Sequence, residues 1–310
     1  MSFITKDVSL IVRQLEQGKI VGLPTETVYG LAADFSNIEA IEKIFTTKNR
    51  PANHPLILHV LKEWDLSQWV DVIPVLAHDL IQAYWPGPLS IVFKTNPDKV
   101  SSKITGGQHT VALRSPSHPL FKEVLQQFGR PLVAPSANMY EQISPTTAEH
   151  VKNNFIHTDL AILQGGRCKI GMESTIIYVH HQQIEVLRPG SIEVTQTLQE
   201  SIETKIRVSG QHKKHYQPKK PFYYFESFNE LPNTLNDLFV LGFQNDRNVL
   251  NYCFPDDINL VYYEFYYQIQ CAEHQDCKAI CIELPPDQPV FHAIRDKILK
   301  ASKPIKHWCS

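Results

Sequence analysis

A chain of 310 residues is long for one ordinary domain, so its length predicts two. Hydrophobic residues make up 43% and charged residues 20%, which is typical of a globular protein with a sizeable core and excludes a chain dominated by disorder. The formal net charge of -2 excludes the strongly basic surface of a dedicated nucleic-acid binder, although it is compatible with a local basic cavity.

No segment of the sequence resembles a targeting or membrane-spanning element. The N-terminal residues contain no continuous apolar run, and no apolar stretch elsewhere is long enough to cross a bilayer. We therefore expect a cytoplasmic protein without a signal peptide. Its six cysteines do not resemble a disulfide framework, and in an intracellular chain they would stay reduced.

Hydrophobic periodicity predicts alternating helices and strands through the first part of the chain, as in α/β folds. Two capping boxes, Ser36 with Glu39 and Thr146 with Glu149, predict helix starts. The predicted helices are Asp7 to Gln17, one that begins near Ser36 and ends at Lys48, Val75 to Tyr84, and Pro119 to Phe128. The predicted strands are Lys19 to Leu23, Leu89 to Phe93, Thr110 to Leu113, Pro131 to Ala134, Leu160 to Leu163, Thr175 to Val179, and Ile184 to Leu187.

The remainder of the chain is predicted to form a linker and a second, smaller α/β domain. The first domain ends near residue 200, and residues 201–220 form a basic, proline-containing linker without apolar periodicity. The pattern then restarts over residues 221–310. Here the predicted elements are strands Phe222 to Phe225, Phe239 to Phe243, Ile258 to Tyr262 and Lys278 to Ile282, and a helix from Val290 to Ser302.

Polar clusters at the ends of apolar elements mark candidate binding residues. The first, PTETVYG, directly follows a strand, where ligands bind in many α/β proteins, but a structural turn made by threonine side chains is the alternative. The second contains Lys48 and Arg50, a point charge and a planar fork that can contact one polyphosphate, or else form an exposed basic turn. It leads to His59, which is either a strand-end histidine or a substrate ligand.

Two further clusters carry arginines and hydroxyl groups. Arg114 lies just beyond an apolar strand, where it can bind a substrate carboxylate, and Ser136 and Asn138 in APSAN can bind phosphate, ribose or base edges. The fourth cluster joins the segment GMEST to Arg188 at another strand end. Taken separately, each of these segments can also be a loop whose polar groups are satisfied internally.

The order of these segments and their amino-acid sequences resemble those of one family. They are similar to the motifs of threonylcarbamoyl-adenylate synthases of the YrdC type. In chain order the similar segments are PTETVYGL, KNRP with PLILH, WPGPLSIV, VALR, APSAN, SPT, GMESTI and LRPGSI. Beyond them, KHYQP resembles the family's linker signature, and AIRDKILKAS resembles the final helix of its long, two-domain form. The intervening part of the second domain, from about Phe225 to Gln275, matches only loosely.

The resemblance implies a twisted mixed sheet of the YrdC type that encloses a basic cavity, joined to a small Rossmann-like α/β C-terminal domain. It implies a nucleotidyltransferase that forms threonylcarbamoyl-AMP and pyrophosphate from L-threonine, bicarbonate and ATP. The product would serve the threonylcarbamoyladenosine modification of tRNA next to the anticodon, by hand-over to the transfer machinery, with weak or no direct tRNA binding. Mg²⁺ would be held mainly by the nucleotide, without a dedicated protein metal site.

The resemblance also implies two sets of ligand-binding residues. Lys48 and Arg50 are the implied catalytic residues, facing the phosphates. The chain departs from the family pattern at Val208 to Gln211, where a Ser-Pro-Gly-Met-like run is usual, so the contacts of that part of the lid stay open. The implied nucleotide set is Lys48, Arg50, Thr110, Ser136, Asn138, Ser144, Arg188, His215 and Tyr216, and the implied threonine set is Thr25, Tyr29, His59, Arg114 and Ser174.

Two patterns in the second domain have competing interpretations. Cys271, His274, Cys277, Cys281 and His292 could suggest a zinc site, but their spacing matches no paired zinc pattern, and buried structural thiols are the favoured interpretation. The aromatic run from Tyr262 to Tyr267 could stack on bases, although in a small domain such a run is more often core packing.

Two other function classes compete with the synthase. An RNA-binding module without catalysis would use the same basic cavity, but the near-neutral net charge and the complete threonine set disfavour it. A carbamoyl-transferring maturation enzyme on a related domain is also disfavoured, because that type carries acylphosphatase and zinc-finger modules ahead of this domain. Pyrophosphate release from ATP discriminates the synthase from the RNA-binding module.

Overall fold

The computed structural model describes residues 1–180, 182–195, 206–211, 214–232, 234–244 and 249–308. These residues are organised around two β-sheets, one in the region before residue 190 and one after residue 220. The predicted domain boundary near residue 200 lies outside the described residues. Among the helices of the described ranges, none combines the length and the apolar character needed to span a membrane.

The first sheet is large and mixed, as predicted, and has ten strands within the described residues. Across the sheet they run in the order β1-β8-β2-β3-β7-β4-β6-β5-β9-β10, with parallel and antiparallel neighbours interspersed. In chain order the strands are β1 (Phe3–Thr5), β2 (Val21–Leu23), β3 (Gly30–Asp34), β4 (Ile57–His59), β5 (Leu89–Lys94), β6 (Thr110–Arg114), β7 (Leu132–Val133), β8 (Ala161–Leu163), β9 (Thr175–His180) and β10 (Gln183–Arg188).

Helices pack on this sheet through the apolar faces that the periodicity predicted. In the first helix, Val8, Ile11, Val12 and Leu15 are buried, and Asp7 caps the N-terminus by accepting from the Leu10 amide at 3.0 Å. The helices of this part are α1 (Val8–Glu16), α2 (Ile38–Lys48), α3 (Val75–Tyr84), α4 (Ser102–Thr105), α5 (Pro119–Phe128) and α6 (Ala148–Asn154).

Both predicted capping boxes are wrong by one residue. The N-cap of α2 is Asn37, whose side chain accepts from the Ala40 amide at 3.0 Å, while Ser36 bonds to a preceding aspartate. The N-cap of α6 is Thr147. At the other end of α2, Asn49 adopts a left-handed conformation with φ of 53°, which ends the helix directly after Lys48 and redirects the chain toward the site.

The second sheet has five described strands, and all of its neighbouring pairs are parallel. The strand order is β13-β12-β14-β11-β15, with helices on the sheet, which is the Rossmann-like arrangement expected of the C-terminal part. The elements are β11 (Phe222–Phe225), β12 (Leu238–Gly242), β13 (Tyr252–Cys253), α7 (Ile258–Glu273), β14 (Ala279–Glu283), α8 (His292–Ala301) and β15 (Lys303–Pro304).

The predicted strand from Ile258 to Tyr262 is wrong, because this segment begins helix α7. Its aromatic and β-branched residues favour a strand by composition. Burial follows the helical period instead, since Val261, Tyr262, Phe265, Tyr266 and Ile269 all face the core. Here the tertiary environment overrides the local propensity.

The two sheets share a hydrophobic core. Val28, Ile143 and Met172, from loops around the first sheet, belong to one buried cluster with Phe265 and Tyr266 of α7. Because these side chains exclude water between the two parts, the C-terminal part is packed against the loops of the first sheet rather than tethered beside them.

Arg167 adds a polar clamp to this interface. Its guanidinium lies 3.6 Å from the ring centroid of Tyr263 and 3.8 Å from that of Tyr267, and it pairs with Glu264 at 3.2 Å. Such contacts combine cation–π and ionic attraction. The aromatic run of α7 therefore serves packing and this clamp, as the packing interpretation predicts.

Candidate active site

A cavity lies where strands β4 and β6 end. His59 and Arg114 are the last residues of these parallel strands and are register partners, so both side chains meet at the same edge of the sheet. Seven residues of the two predicted sets line the cavity, which brings threonine-side and nucleotide-side residues together: His59, Arg114, Ser136, Ser174, Arg188, His215 and Tyr216.

Arg114 is held in position by a buried ion pair. Its Nη2 lies 2.6 Å from Oε1 of Glu26, its Nε donates to the Gly87 carbonyl at 3.2 Å, and both charged side chains are 5% exposed. The other carboxylate oxygen of Glu26 accepts from the Ser117 amide at 3.0 Å. These bonds fix the plane of the guanidinium, so that it can present a preorganised cation to a substrate carboxylate.

His59 is buried and neutral. Its ring centroid lies 5.3 Å from that of Phe121, and burial together with nearby Arg114 lowers the pKa of His59 to about 3. In the described part of the chain, no group bonds to its Nδ1. A neutral imidazole with a free ring nitrogen that lines the cavity favours the substrate-ligand interpretation over the purely structural one.

Thr25 and Tyr29 are occupied by the protein itself. The Thr25 hydroxyl donates to the Val28 carbonyl at 2.7 Å and accepts from the Thr27 amide at 3.1 Å, which is the structural-turn alternative. The Tyr29 hydroxyl donates to the carbonyl of Gly166 at 2.8 Å, and burial raises its pKa. Of this motif, Thr27 and Val28 line the cavity, while Thr25 and Tyr29 support it from behind.

Lys48 and Arg50 are buried, with exposed fractions of 1% and 7%, so the exposed-turn alternative is wrong. Lys48 Nζ donates to the carbonyl of Ser136 at 2.5 Å and to that of Asn138, and Arg50 Nη2 donates to the Pro55 carbonyl at 3.0 Å. Burial and the neighbouring guanidinium lower the pKa of Lys48 well below its ordinary value, and burial lowers the pKa of Arg50 to about 10. Arg50 therefore stays charged at neutral pH, and an anion beside Lys48 would favour the charged form of its ammonium group.

Asn138 and Ser144 lie behind the cavity wall. The Ser144 hydroxyl donates to Oε1 of Glu173 at 2.5 Å, and the hydroxyl of Tyr266, from α7, donates to Oε2 at 2.7 Å. Asn138 donates to the Gln142 carbonyl at 2.8 Å. Glu173 itself lines the cavity, so Ser144 and the C-terminal part jointly orient a cavity carboxylate.

Ser174 and Arg188 form a second organised pair. Arg188 Nη2 donates to the carbonyl of Ser174 at 2.7 Å and to its hydroxyl at 3.0 Å. The same hydroxyl lies 2.8 Å from that of Ser90, and Arg188 Nη1 donates to the carbonyl of Ser209 at 3.2 Å. Arg188 thereby links the threonine-side hydroxyl to the segment that covers the cavity.

Residues from the linker form part of the cavity wall, and we call this part the cover. Ser209, His215 and Tyr216 line the cavity, and the rings of His215 and Tyr216 lie 3.9 Å apart. Burial and nearby cations, Arg50 first, lower the pKa of His215 well below its ordinary value. Tyr216 has a φ of 64°, a strained backbone that close packing must hold in place.

The segment that departs from the family pattern docks through contacts of its own. The Val208 side chain is buried beside Ile176, and its amide donates to the side chain of Gln211 at 2.9 Å. Gln211 in turn donates to the Leu187 carbonyl at 3.3 Å. Residues 208–211 are thus attached to the first sheet despite their unusual sequence.

The structure does not bring Thr110 to the cavity. Thr110 begins β6, whereas Arg114 ends it, so the two residues lie at opposite ends of one strand. Thr110 lines a small neighbouring space, next to Arg207 and Val208, which shares lining residues such as Ile57 and Ser209 with the cavity. A nucleotide-binding role for Thr110 would require a ligand that reaches this second space.

Two polar residues that line the cavity within quoted motifs, Thr27 and Glu173, were not among the predicted site residues, and neither was Glu26, which pairs with Arg114. Each stands inside a quoted motif, PTETVYG or GMEST, so the motif itself was the available signal. Their chemistry was hidden because the partners that define it, Arg114 and Tyr266, are distant in sequence.

Buried polar atoms without partners concentrate around the cavity. Within the described residues they include Arg50 Nε, His59 Nδ1, Asn138 Oδ1, His215 Nδ1 and the Tyr216 hydroxyl. Buried polar atoms are nearly always hydrogen-bonded in folded proteins, so a cluster of exceptions indicates a place prepared for a polar ligand.

Comparison with known proteins identifies the family. Residues 13–190 match the Sua5/yciO/yrdC family, described as "Telomere recombination", and this is more than half of the chain. The chain belongs to the Sua5/yciO/yrdC family. Residues 179–303 match a second family, described as "Threonylcarbamoyl-AMP synthase, C-terminal domain". The family resemblance inferred from the motifs is confirmed.

Relatives within the family carry one name. The threonylcarbamoyl-AMP synthase of Bacillus subtilis (strain 168) is 40% identical over 181 residues, which are 57% of this chain and 51% of that protein. The one of Pyrococcus abyssi is 40% identical over 178 residues, or 57% of this chain and 52% of that protein. These alignments therefore span about half the length of the curated relatives.

Solved structures of the family extend the similarity to both parts of the chain. The crystal structure of Pyrococcus abyssi Sua5 complexed with L-threonine aligns over 98% of this chain and 99% of that one, with a TM-score of 0.83 and 25% identity. Escherichia coli YciO aligns over 64% of this chain and 98% of its own, with a TM-score of 0.54 and 22% identity, which shows the shared fold. The predicted fold class is confirmed.

The cysteines and histidines of the C-terminal part do not form a recognisable zinc site within the described residues. In the described ranges, no group of three or more His, Cys, Asp or Glu side chains could hold a metal ion. Cys281 lies within β14, where burial raises the pKa of its thiol to about 12, and Cys277 faces the Ala272 carbonyl at 3.7 Å. The described cysteines are free thiols, and Cys309 lies outside the described residues.

Two buried histidines, His59 and His215, and the half-buried His150 predict acid lability. Burial is the main cause that lowers the pKa of His59 to about 3, that of His150 to about 4, and that of His215 well below its ordinary value. The unfolded chain binds these protons near pH 6.5, so stability is complete above pH 6.5 and is lost as the pH falls toward the folded-state pKa values. Each histidine contributes up to about 1.4 kcal/mol per pH unit in that window.

Urea unfolding at pH 7.5 and 5.5 measures this loss. His150→Gln is expected to make the free energy of unfolding less dependent on pH, whereas His78→Gln, at an exposed helical position, is expected to leave the dependence intact. Equal pH dependence in the two variants would contradict the assignment of a half-buried, neutral His150.

Proposed function

We propose that the chain is a threonylcarbamoyl-AMP synthase that consumes L-threonine, bicarbonate and ATP and releases pyrophosphate. The observation that carries the proposal is the set of buried polar atoms without partners, among the described residues, on His59, His215 and Tyr216, which line one cavity together with Arg114 and Arg188. The names of the relatives and the L-threonine held by the Pyrococcus abyssi protein support the same reaction.

The reaction needs no protein nucleophile. Bicarbonate and the threonine amine combine with loss of water to give a carbamate, whose oxygen then attacks the α-phosphorus of ATP. The new P–O bond forms as the bond to pyrophosphate breaks, so threonylcarbamoyl-AMP and pyrophosphate are the products. A covered cavity favours the labile carbamate because it limits contact with bulk water.

The cations of the cavity divide between the two substrates. Arg114, fixed by Glu26, is suited to the threonine carboxylate, with His59 and Ser174 beside it. Lys48 and Arg50 lie near Arg188 and His215, where the nucleotide phosphates would add negative charge. Preorganised positive groups at that position stabilise the charge that develops during phosphoryl transfer.

The two glutamates near the cavity are not available as Mg²⁺ ligands, so a Mg²⁺ ion would be carried by the nucleotide. Both oxygens of Glu26 and both oxygens of Glu173 already accept hydrogen bonds from protein groups. These side chains are therefore committed to positioning Arg114, Ser144 and Tyr266. Mg²⁺ on the phosphates would supply neutralisation of their charge, while the protein residues orient the two reactants.

Pyrophosphate release from ATP by the purified full-length chain tests the proposal. Release that requires both L-threonine and bicarbonate, with L-serine as the matched control amino acid, is the expected result. Binding of ATP without release under any combination of these compounds would overturn the proposal and favour a binding protein on the same fold.

We also propose that the product is consumed by the tRNA threonylcarbamoyl-transfer machinery, with little direct tRNA binding by this chain. The net charge of -2 supports weak RNA affinity. Filter binding of tRNA at about 150 mM salt tests this point: micromolar or tighter binding that persists at this ionic strength would contradict it.

A further inference from the structure

Lys297 is a fully buried lysine of the C-terminal part, on helix α8, with an exposed fraction of 0%. Its Nζ lies 4.9 Å from the ring centroid of Tyr216, which covers the cavity, and 3.3 Å from the carbonyl of Pro189. Pro189 directly follows Arg188, which lines the same cavity. The ammonium group of Lys297 thus contacts both Tyr216 of the cover and the turn that follows Arg188.

The same helix holds the cover at further points. Asp296 pairs with Lys297 at 2.9 Å and with Lys300 at 2.7 Å. Lys300 Nζ donates to the Gly210 carbonyl at 2.9 Å, and its own carbonyl accepts from the His215 amide at 3.2 Å. Helix α8 therefore forms hydrogen bonds with Gly210 and His215, which lie on either side of residues 212–213.

Packing alone does not explain a lysine at this position. Replacing both partners of a buried ion pair by apolar side chains of similar volume is often neutral or stabilising, so packing alone does not require a charged pair here. Lys297 instead adds positive charge to a region that already holds Lys48, Arg50 and Arg188, all of which act on His215. An anionic ligand would be attracted to this concentration of positive charge.

Building on the proposed function, we propose that Lys297 is a positioning residue that holds Tyr216 and the Arg188–Pro189 turn over the phosphates of the bound nucleotide. The C-terminal part is then a component of the nucleotide site rather than an appendage. Its contribution acts on ATP binding and leaves the threonine side, around Arg114 and His59, unchanged.

Steady-state pyrophosphate release by the full-length chain tests this inference. Lys297→Met removes the charge at nearly constant volume, Lys297→Arg keeps the charge, and Lys306→Met makes the same chemical change at an exposed position of the same domain. Point variants are used because removing residues 221–310 would expose the shared hydrophobic core.

Lys297→Met is expected to raise the KM for ATP about tenfold, equivalent to about 1.4 kcal/mol, with the KM for L-threonine unchanged. Lys297→Arg should recover most of this loss, and Lys306→Met should behave as the unmodified chain. A purely structural role would lower the active fraction, and thus kcat, without changing the KM for ATP. That outcome, or an effect equal to that of Lys306→Met, would overturn the inference.

A double-mutant cycle checks that Lys297 acts through the tyrosine ring. In a Tyr216→Leu background, which has no ring, Lys297→Met is expected to raise the KM for ATP by a clearly smaller factor than in the unmodified chain. Equal factors in both backgrounds would refute the contact as the route of the effect.

Thermal unfolding and circular dichroism of each variant show whether it is folded. If Lys297→Met unfolds below the assay temperature, Lys297→Gln carries the test, because it keeps a donor for the Pro189 carbonyl and lacks the charge. Failure of the proposed function is distinguishable, since the unmodified chain would then release no pyrophosphate at all.

Discussion

Replacing Lys48 with methionine is expected to lower the rate of pyrophosphate release by about two to three orders of magnitude, the usual effect of removing one preorganised donor from a transition state. Lys48 ends helix α2 and reaches the carbonyls of Ser136 and Asn138 beside the phosphate-side cations. Methionine fills a similar volume but supplies neither a donor nor a charge to the transferring phosphoryl group.

Lys43→Met is the matched control, since Lys43 lies on the exposed face of the same helix. Its turnover should equal that of the unmodified chain. Circular dichroism and urea unfolding establish that both variants are folded. The catalytic assignment of Lys48 fails if its folded variant retains turnover within a factor of about two, well inside the range that such a donor contributes.

Replacing Arg114 with methionine is expected to lower the free energy of unfolding by about 3 to 5 kcal/mol, because it leaves the Glu26 carboxylate buried without its counter-ion. The variant should also lose threonine-dependent pyrophosphate release, since the cation that is suited to the substrate carboxylate is gone. Urea unfolding at pH 7.5 measures the first effect and the release assay measures the second.

Arg130→Met provides the comparison for stability. Arg130 pairs with Asp34 at 3.0 Å, but its side chain is 48% exposed, so the loss of this pair should cost about 0 to 1 kcal/mol. Similar losses in the two variants would show that the Glu26–Arg114 pair is not the buried, committed pair that the structure describes.

The local sequence predicted most elements of the first sheet correctly because their apolar spacing and their burial agree. Helices α3 and α5 begin and end at the predicted residues. The errors arise where two local signals compete, as at Asn37, which caps α2 in place of the neighbouring serine. Helix α7 is the largest error, since its aromatic residues favour a strand by composition and a helix by spacing.

The sequence indicated cavity-lining residues correctly where a motif ends a strand at the cavity. His59, Arg114 and Arg188 follow that rule, and all three line the cavity. The motif was less informative for Thr25 and Tyr29. Their hydroxyl groups are hydrogen-bonded to backbone carbonyls of their own turn and of a neighbouring loop. A motif identifies which segments meet, whereas hydrogen bonds decide which side chain of each segment is free.

The sequence by itself determined the family, the α/β class and the segments that converge on one cavity, because these depend on residue order and apolar periodicity. Only the tertiary structure decided that Glu26 holds Arg114, that Tyr266 orients Glu173, and that Lys297 reaches the cover of the cavity. The physical reason is distance along the chain. Each of these interactions joins residues dozens of positions apart, and its strength depends on burial that no local pattern encodes.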